Sequence, residues 1–380
     1  MRKVLIKLII VLSVVLVVSI NLCVPTSAIT QGSNDWTGYT PVSNKSDLDN
    51  IRNNLSGKYY LTNDIVFSDD DFASGGQFYN NGNGWTPIGS YSNSFTGVLD
   101  GNGYTITGLI INNFASMDMF DGIGLFGTNN GVIRNLGVKD ISVTNTSTIY
   151  AQAGGIVGYN DFDGEITNCY VSGNSCINTN GYSSYAGGIA GYSFGTISNC
   201  FNTSKVTAQS SCSGRTVETY AGGITSVNYN NKITNCYNTG RVESLSNISE
   251  KYFARCLAGG ICGKQTTNSI VKNSYNTGAI STSVSGSNPF AWAPYPNYAA
   301  GIVADNEGNI ENCYNTGKIC GTTLNIEEPK GIAGGIAGHG GISEGSIKQC
   351  YNVGDISAEK MGKIRSADPE WRLAGFLMLK

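Results

Sequence analysis

The sequence predicts an all-β solenoid, a parallel β-helix of about seven coils with a short N-terminal helix or cap. Three observations carry that prediction. A Gly-Gly-Ile element recurs six times at similar spacing, an Ile-x-Asn-Cys-Tyr element follows each copy, and 50 of the 380 residues are glycine while only 13% are charged. Glycine opposes helix interiors. With 40% hydrophobic residues the chain is not disordered either, so the glycines are structural.

The first element reads Gly154-Gly155-Ile156-Val157-Gly158 and returns at Gly187, Gly222, Gly259, Ala300 and Gly334, at intervals of 33, 35, 37, 41 and 34 residues. The second reads Ile166-Thr167-Asn168-Cys169-Tyr170 and returns at Ile197, Ile233, Val271, Ile310 and Ile347. Its usual sequel is Asn-Thr-Gly, as in Asn238-Thr239-Gly240. A degenerate copy, Gly122 to Gly127 with Ile133 to Gly137, brings the count to about seven. Length varies between the conserved elements, the mark of a solenoid with variable loops. The elements are short β-branched and aromatic runs bounded by Gly and Asn, which are strands. A third, weaker strand follows the sequel, as at Arg241-Val242-Glu243, so three strands per coil are expected.

A coil that turns corners needs residues tolerant of positive φ, and Gly and Asn supply them. If the chain bends at Asn168 and its counterparts, Ile and Cys share the interior and the aromatic points outward; a straight strand would instead group Ile, Asn and Tyr. The bend is preferred, because an Asn buried beside Ile needs partners. It yields an exposed amide ladder, an internal column of Cys169, Cys200, Cys236, Ser274, Cys313 and Cys350, and an external stripe of Tyr170, Phe201, Tyr237, Tyr275, Tyr314 and Tyr351. The column reads as packing: parallel neighbours hold Cβ atoms too far apart for good disulfides, and one His in the chain makes zinc a poor fit. The stripe either stacks on sugar rings or a partner, or simply covers the coil and steadies its register.

Ahead of the repeats, residues 46–55 predict a helix with Ser46 as N-cap and Leu48, Ile51 and Leu55 on one face. Tyr59 to Leu61, Ile65 to Phe67 and Phe95 to Ile106 read as opening coils. Trp85-Thr86-Pro87-Ile88-Gly89, the run Phe95 to Ile106, Gly124-Leu125-Phe126-Gly127 and the paired repeats together resemble secreted bacterial proteins carrying the GLUG motif, which also occurs in immunoglobulin-A-cleaving metalloproteases. The resemblance implies a right-handed, pectin-lyase-like parallel β-helix on a surface or secreted protein. It does not imply an activity. The protease relatives need a zinc-binding His-Glu-x-x-His helix, whereas this chain has only His339.

The organisation expected is a signal peptide over 1–28, a cap over 29–58, opening coils over 59–150, GLUG-type repeats over 151–357 and a tail over 358–380 that is either truncated or a cap. Arg2, Lys3 and Lys7 precede an apolar run, and Thr26-Ser27-Ala28 offers a cleavage site. Secretion or display at the cell surface follows, with no integral membrane domain beyond the signal segment. The chain carries 24 cations against 27 anions; residues 1–28 hold three cations and no anion, leaving 21 against 27, net −6. Nucleic acid is therefore not an expected partner.

The expected function is an adhesin-like binding module for a glycan or a host or cell-surface protein, with no cofactor and no catalytic constellation. Alternatives are a polysaccharide lyase or glycosidase on the same scaffold, or a structural stalk. The loop Ser281 to Asn297, with Phe290, Trp292, Tyr295 and the adjoining Tyr298, is the candidate contact site. Asp69, Asp70 and Asp71 are a candidate calcium set, although three adjacent acids are more often simply solvated, and Asp161, Asp163 and Glu165 are similarly ambiguous.

Overall fold

A computed structural model describes residues 35–112, 121–210, 217–248, 254–286, 297–324, 331–340 and 345–361. The chain divides into two compact units, 1–38 and 39–380. Of the first, the described residues form a turn in which the Thr37 N–H and hydroxyl donate to Asp35. The predicted signal segment lies outside the described residues, as does the tail from residue 362 onward.

The second unit is a parallel β-solenoid. One full turn runs through Tyr150–Gly154, Val157–Asn160, Glu165–Thr167, Tyr170–Ser172 and Cys176–Asn180. Their counterparts on successive turns pair in parallel, building five sheets, here numbered I to V in that order, of six, seven, ten, nine and eight strands among the described residues. Six turns therefore carry all five strands. Before them stands a turn with four, Phe126–Asn129, Val132–Arg134, Gly137–Lys139 and Ser142–Thr146, which is the degenerate copy.

The expectation of three strands per coil is corrected to five, because each conserved element is a bent pair of strands. Gly-Gly separates sheets I and II. A Cβ on Gly259 would strike the carbonyl oxygen of Cys262, and one on Gly260 would strike the Gly301 carbonyl and the Asn276 side chain, so this corner closes only on hydrogen. The Asn position separates sheets III and IV: Asn135, Asn168, Asn199, Asn235, Asn273, Asn312 and Gln349 all have φ between +52° and +56°. Amides are the side chains best suited to this left-handed conformation after glycine. The strand read as weak is the longest, with seven residues in Val242–Ile248 and in Ile280–Gly286. The second of these takes up the first part of the stretch expected to be a loop.

The bend sorts the side chains as the preferred reading requires. Ile166, Cys169 and their counterparts are buried on every turn but the last, where Ile347 and Cys350 are half-buried, and the aromatic after this position is on the outer face. The cysteines of the column are free thiols. Each packs into the column and meets backbone: the Cys169 N–H donates to Cys200 Sγ at 3.4 Å, and the Cys236 N–H to Ser274 Oγ at 3.1 Å. Burial pushes the Cys200 and Cys236 thiols well above their usual range.

Two sets of buried amides inside the stack are paired in ladders that the sequence reading did not contain. From Phe201 onward the Asn after each aromatic, buried on all but the last turn, bonds to its counterpart one turn on: Asn202 to Asn238 at 2.9 Å, Asn238 to Asn276 at 2.8 Å, Asn276 to Asn315 at 2.7 Å and Asn315 to Asn352 at 2.7 Å, Nδ2 donating to Oδ1 throughout. Another runs at the end of sheet II, where Asn129 donates to Asn160 at 2.8 Å and Gln265 to Asn306 at 3.0 Å.

The N-terminal helix spans Lys45–Asn50 and continues as a single 3₁₀ turn, Ile51–Asn53. Its N-cap is Asn44 rather than Ser46: Asn44 Oδ1 accepts from the Asp47 N–H at 2.9 Å, and the Ser43 N–H and hydroxyl pin Asp47 from behind. Leu48 and Ile51 are buried in the main core, with Leu55 packed against it. Among the described residues no helix is long and apolar enough to cross a membrane.

Candidate functional surfaces

The predicted aromatic stripe is a continuous stack on sheet IV. Rings from Tyr170 through Phe201, Tyr237, Tyr275, Tyr314 and Tyr351 lie 4.7–5.2 Å apart, within 6° of parallel. In-register pairing of the strands dictates this, since each aromatic sits directly over the next. Both faces of each inner ring are taken by neighbours, so the stripe presents edges and hydroxyls. Burial within the stack pushes the Tyr275 and Tyr314 hydroxyls up to about 12. Tyr351, the last ring, is 48% exposed.

Tyr298 lies elsewhere. It belongs to the strand Asn297–Ala300 of sheet I and is buried in a crease where sheets I and II fold together at the Gly-Gly corner. Tyr220, Val227, Leu257, Ala300 and Ala304 fill this crease as a second apolar cluster outside the solenoid core. At its C-terminal end Asp305, 1% exposed, accepts from Arg255 Nη2 at 2.5 Å and contacts His339 Nδ1 at 2.9 Å. The His339 ring stacks on Tyr298 at 5.0 Å. The residues Phe290, Trp292 and Tyr295 lie outside the described residues.

The acidic run 69–71 forms the first turn of a short helix, Asp69–Phe72. Asp71 is committed: its Oδ2 accepts from the Ser68 N–H at 2.7 Å, the Ser68 hydroxyl at 3.0 Å and Lys45 Nζ at 2.5 Å. Among the described residues no group of three or more His, Cys, Asp or Glu is placed to hold a metal ion.

A second solvent-facing group of aromatic rings is one that sequence reasoning missed. Phe162, Phe194 and Tyr229 occupy the turn between sheets II and III on three successive coils, with centroids 4.5 and 4.6 Å apart. Phe162 is 65% exposed and Tyr229 37%. Behind them Tyr159 and Tyr192 stand 5.6 and 5.4 Å from Phe194, and Tyr91, 44% exposed, meets Tyr159 edge-on at 6.0 Å. Aligning the repeats on Gly-Gly puts Phe194 and Tyr229 in one column, six residues after Gly188 and Gly223, but Phe162 falls seven after Gly155. That one-residue offset hid the ridge.

With the turn defined, its sequence unit can be compared with known proteins. Residues 150–175 and 182–207 match the model of the GLUG motif. The chain carries GLUG repeats. The first match runs from the start of a sheet I strand to the residue before the sheet V strand, and the second from the residue before a sheet I strand into the sheet V strand, so one motif corresponds to most of one turn. Over 107 residues, 27% of this chain, it is 37% identical to a protein of Evansella cellulosilytica provisionally named a Gly-rich membrane protein, of which the match covers 11%. Over 112 residues, 28% of this chain, it is 34% identical to halomucin of Haloquadratum walsbyi, of which the match covers 1%. The match thus spans only a small part of the length of either relative. Among solved structures it is similar to one assigned to an immunoglobulin A1 protease of Bacteroides ovatus, with 20% identity, TM-score 0.44, and coverage of 87% of this chain and 79% of that one. A second, an IgA1 protease, shows 14% identity, TM-score 0.35, and coverage of 84% and 23%. No activity is carried from either to this chain.

Proposed function

We propose that this chain is an exported, cell-surface β-solenoid that binds, adhesin-like, through the ridge of Phe162, Phe194 and Tyr229. The exposure of that ridge is the observation that supports the reading. Contiguous apolar surface of this kind marks interaction sites on soluble folds, and aromatic rings give contact area at low cost in side-chain entropy. Rigid strands on either side hold the ridge, so little order has to be imposed on binding. The ligand class is a glycan or a host or cell-surface protein. A surface location is supported by the signal-like N-terminus and by the name of the Evansella relative, a membrane protein.

Purified residues 29–380, screened against a glycan array and a panel of surface proteins, are expected to give saturable binding that Phe162→Ser and Tyr229→Ser each weaken at least tenfold. Equal binding by both variants refutes the ridge. Cleavage of a bound polysaccharide would favour the enzymatic alternative instead.

A further inference from the structure

Sheet IV and the bend before it present three parallel columns, on a different face from the ridge. On one turn these are Asn273, Tyr275 and Thr277, and the turns before and after repeat the triplet in register. Asn273 and Thr277 are exposed, and Tyr275 between them is half-buried. Each group recurs about every 4.8 Å along the axis, with about 6.6 Å between columns.

The hydrogen-bonding capacity of this face is only partly used. Asn273 Nδ2 donates to Asn235 Oδ1 at 3.1 Å, and Asn273 Oδ1 accepts from Asn312 Nδ2 at 3.1 Å. An amide has two N–H donors and two acceptor lone pairs, so half of each remains for a ligand. The hydroxyls of Tyr275 and Thr277 make no hydrogen bond among the described residues. The ring faces are already covered at 4.8 and 4.9 Å, which leaves hydrogen bonding rather than ring stacking as the mode of contact. On these turns none of the three columns is charged. At their margins Lys205 and Arg241 pair with Glu243 and Lys272 with Glu311, while Lys139 lies over the Tyr170 ring at 5.9 Å.

We propose that this face binds an extended, uncharged, linear polysaccharide lying along the solenoid axis. An array that offers the same amide and hydroxyls on three successive turns, at Asn235, Asn273 and Asn312 with the Tyr and Thr that follow each, is fully used only by a ligand that repeats along its length; a folded protein epitope would meet one or two steps. Lack of net charge selects a neutral polymer over an acidic one. Affinity then grows with the number of turns engaged, as it does for linked weak sites.

The test uses residues 29–380 with soluble linear glucan, xylan and mannan, and polygalacturonate as the acidic comparison, at low and high salt. Binding to a neutral polymer is expected, indifferent to salt and rising with oligosaccharide length. Replacing Thr239, Thr277 and Thr316 together by Val removes three hydroxyls while keeping a β-branched side chain suited to strands, and should weaken it at least tenfold. The matching triple change to Ser, which restores the hydroxyls, should retain it. No binding to any neutral polymer, binding that the valines leave intact, or salt-sensitive binding to polygalacturonate alone would each overturn the proposal. The ridge is tested by its own substitutions, so failure of one reading is distinguishable from failure of the other.

Discussion

Asn276→Ala is the substitution that most sharply tests how the stack is held together. Asn276 donates to Asn315 Oδ1 at 2.7 Å and to the Gly278 carbonyl at 2.8 Å, and accepts from Asn238 Nδ2 at 2.8 Å and the Gly278 N–H at 3.2 Å. Four bonds at about 1 kcal/mol each, plus about 1–3 kcal/mol for buried Gly278 groups left unpaired, give a loss of about 5–7 kcal/mol. Asn273, three residues earlier, makes the exposed equivalents. Water replaces those bonds, so Asn273→Ala should cost about 1–2 kcal/mol, the strain of Ala at positive φ. Urea unfolding of both variants, with hydrogen exchange at the Gly278 amide, separates the two ladders. Coils contact mainly their neighbours, so accelerated exchange should concentrate on the turns beside Asn276. If Asn276→Ala costs no more than Asn273→Ala, the buried ladder is not what secures the interior.

Three further outcomes follow. Arg255→Met leaves Asp305 buried without its guanidinium and should lower stability by about 3 kcal/mol in thermal melts; a change below about 1 kcal/mol would show that His339 and water satisfy the carboxylate. Burial pushes the hydroxyls of Tyr192, Tyr275, Tyr298 and Tyr314 up to about 12. Folded tyrosines therefore keep their protons above pH 10 where unfolded ones release them, so this stability is complete below about pH 10 and falls as pH rises toward 12. Ultraviolet titration should show a late-ionising class of tyrosines that merges with the rest in urea; a single ionisation near 10 in the folded protein would contradict it. Cys236→Ser should be nearly neutral, since Ser274 already occupies the same column, whereas Cys236→Leu should destabilise by overpacking, both read from melting temperature.

The fold was legible because its periodicity is written in residues with a backbone role. Asn168 and its counterparts reveal the bend, and with the bend the burial of Cys169 and the outward position of Tyr170 follow. The five-strand turn was less legible, since Gly-Gly and Asn each look like part of one strand until the corner they make is seen. The buried ladder escaped because Asn238 and Asn276 precede Thr-Gly, and a turn explains that sequence just as well as a buried amide does. Surfaces were least legible. Tyr298 looked like a loop aromatic but fills a crease between two sheets, and Phe162, Phe194 and Tyr229 become neighbours only after turns of unequal length are stacked.

The reading of this chain as a binder rather than a catalyst rests on one comparison above all: residues 29–380 held overnight with a polysaccharide they retain, and the bound fraction recovered for mass spectrometry. Recovery of the ligand at its original length, with capture reduced at least tenfold in Phe162→Ser or in the triple valine variant, is the predicted result. Shortened chains, or capture that neither set of substitutions changes, would contradict it.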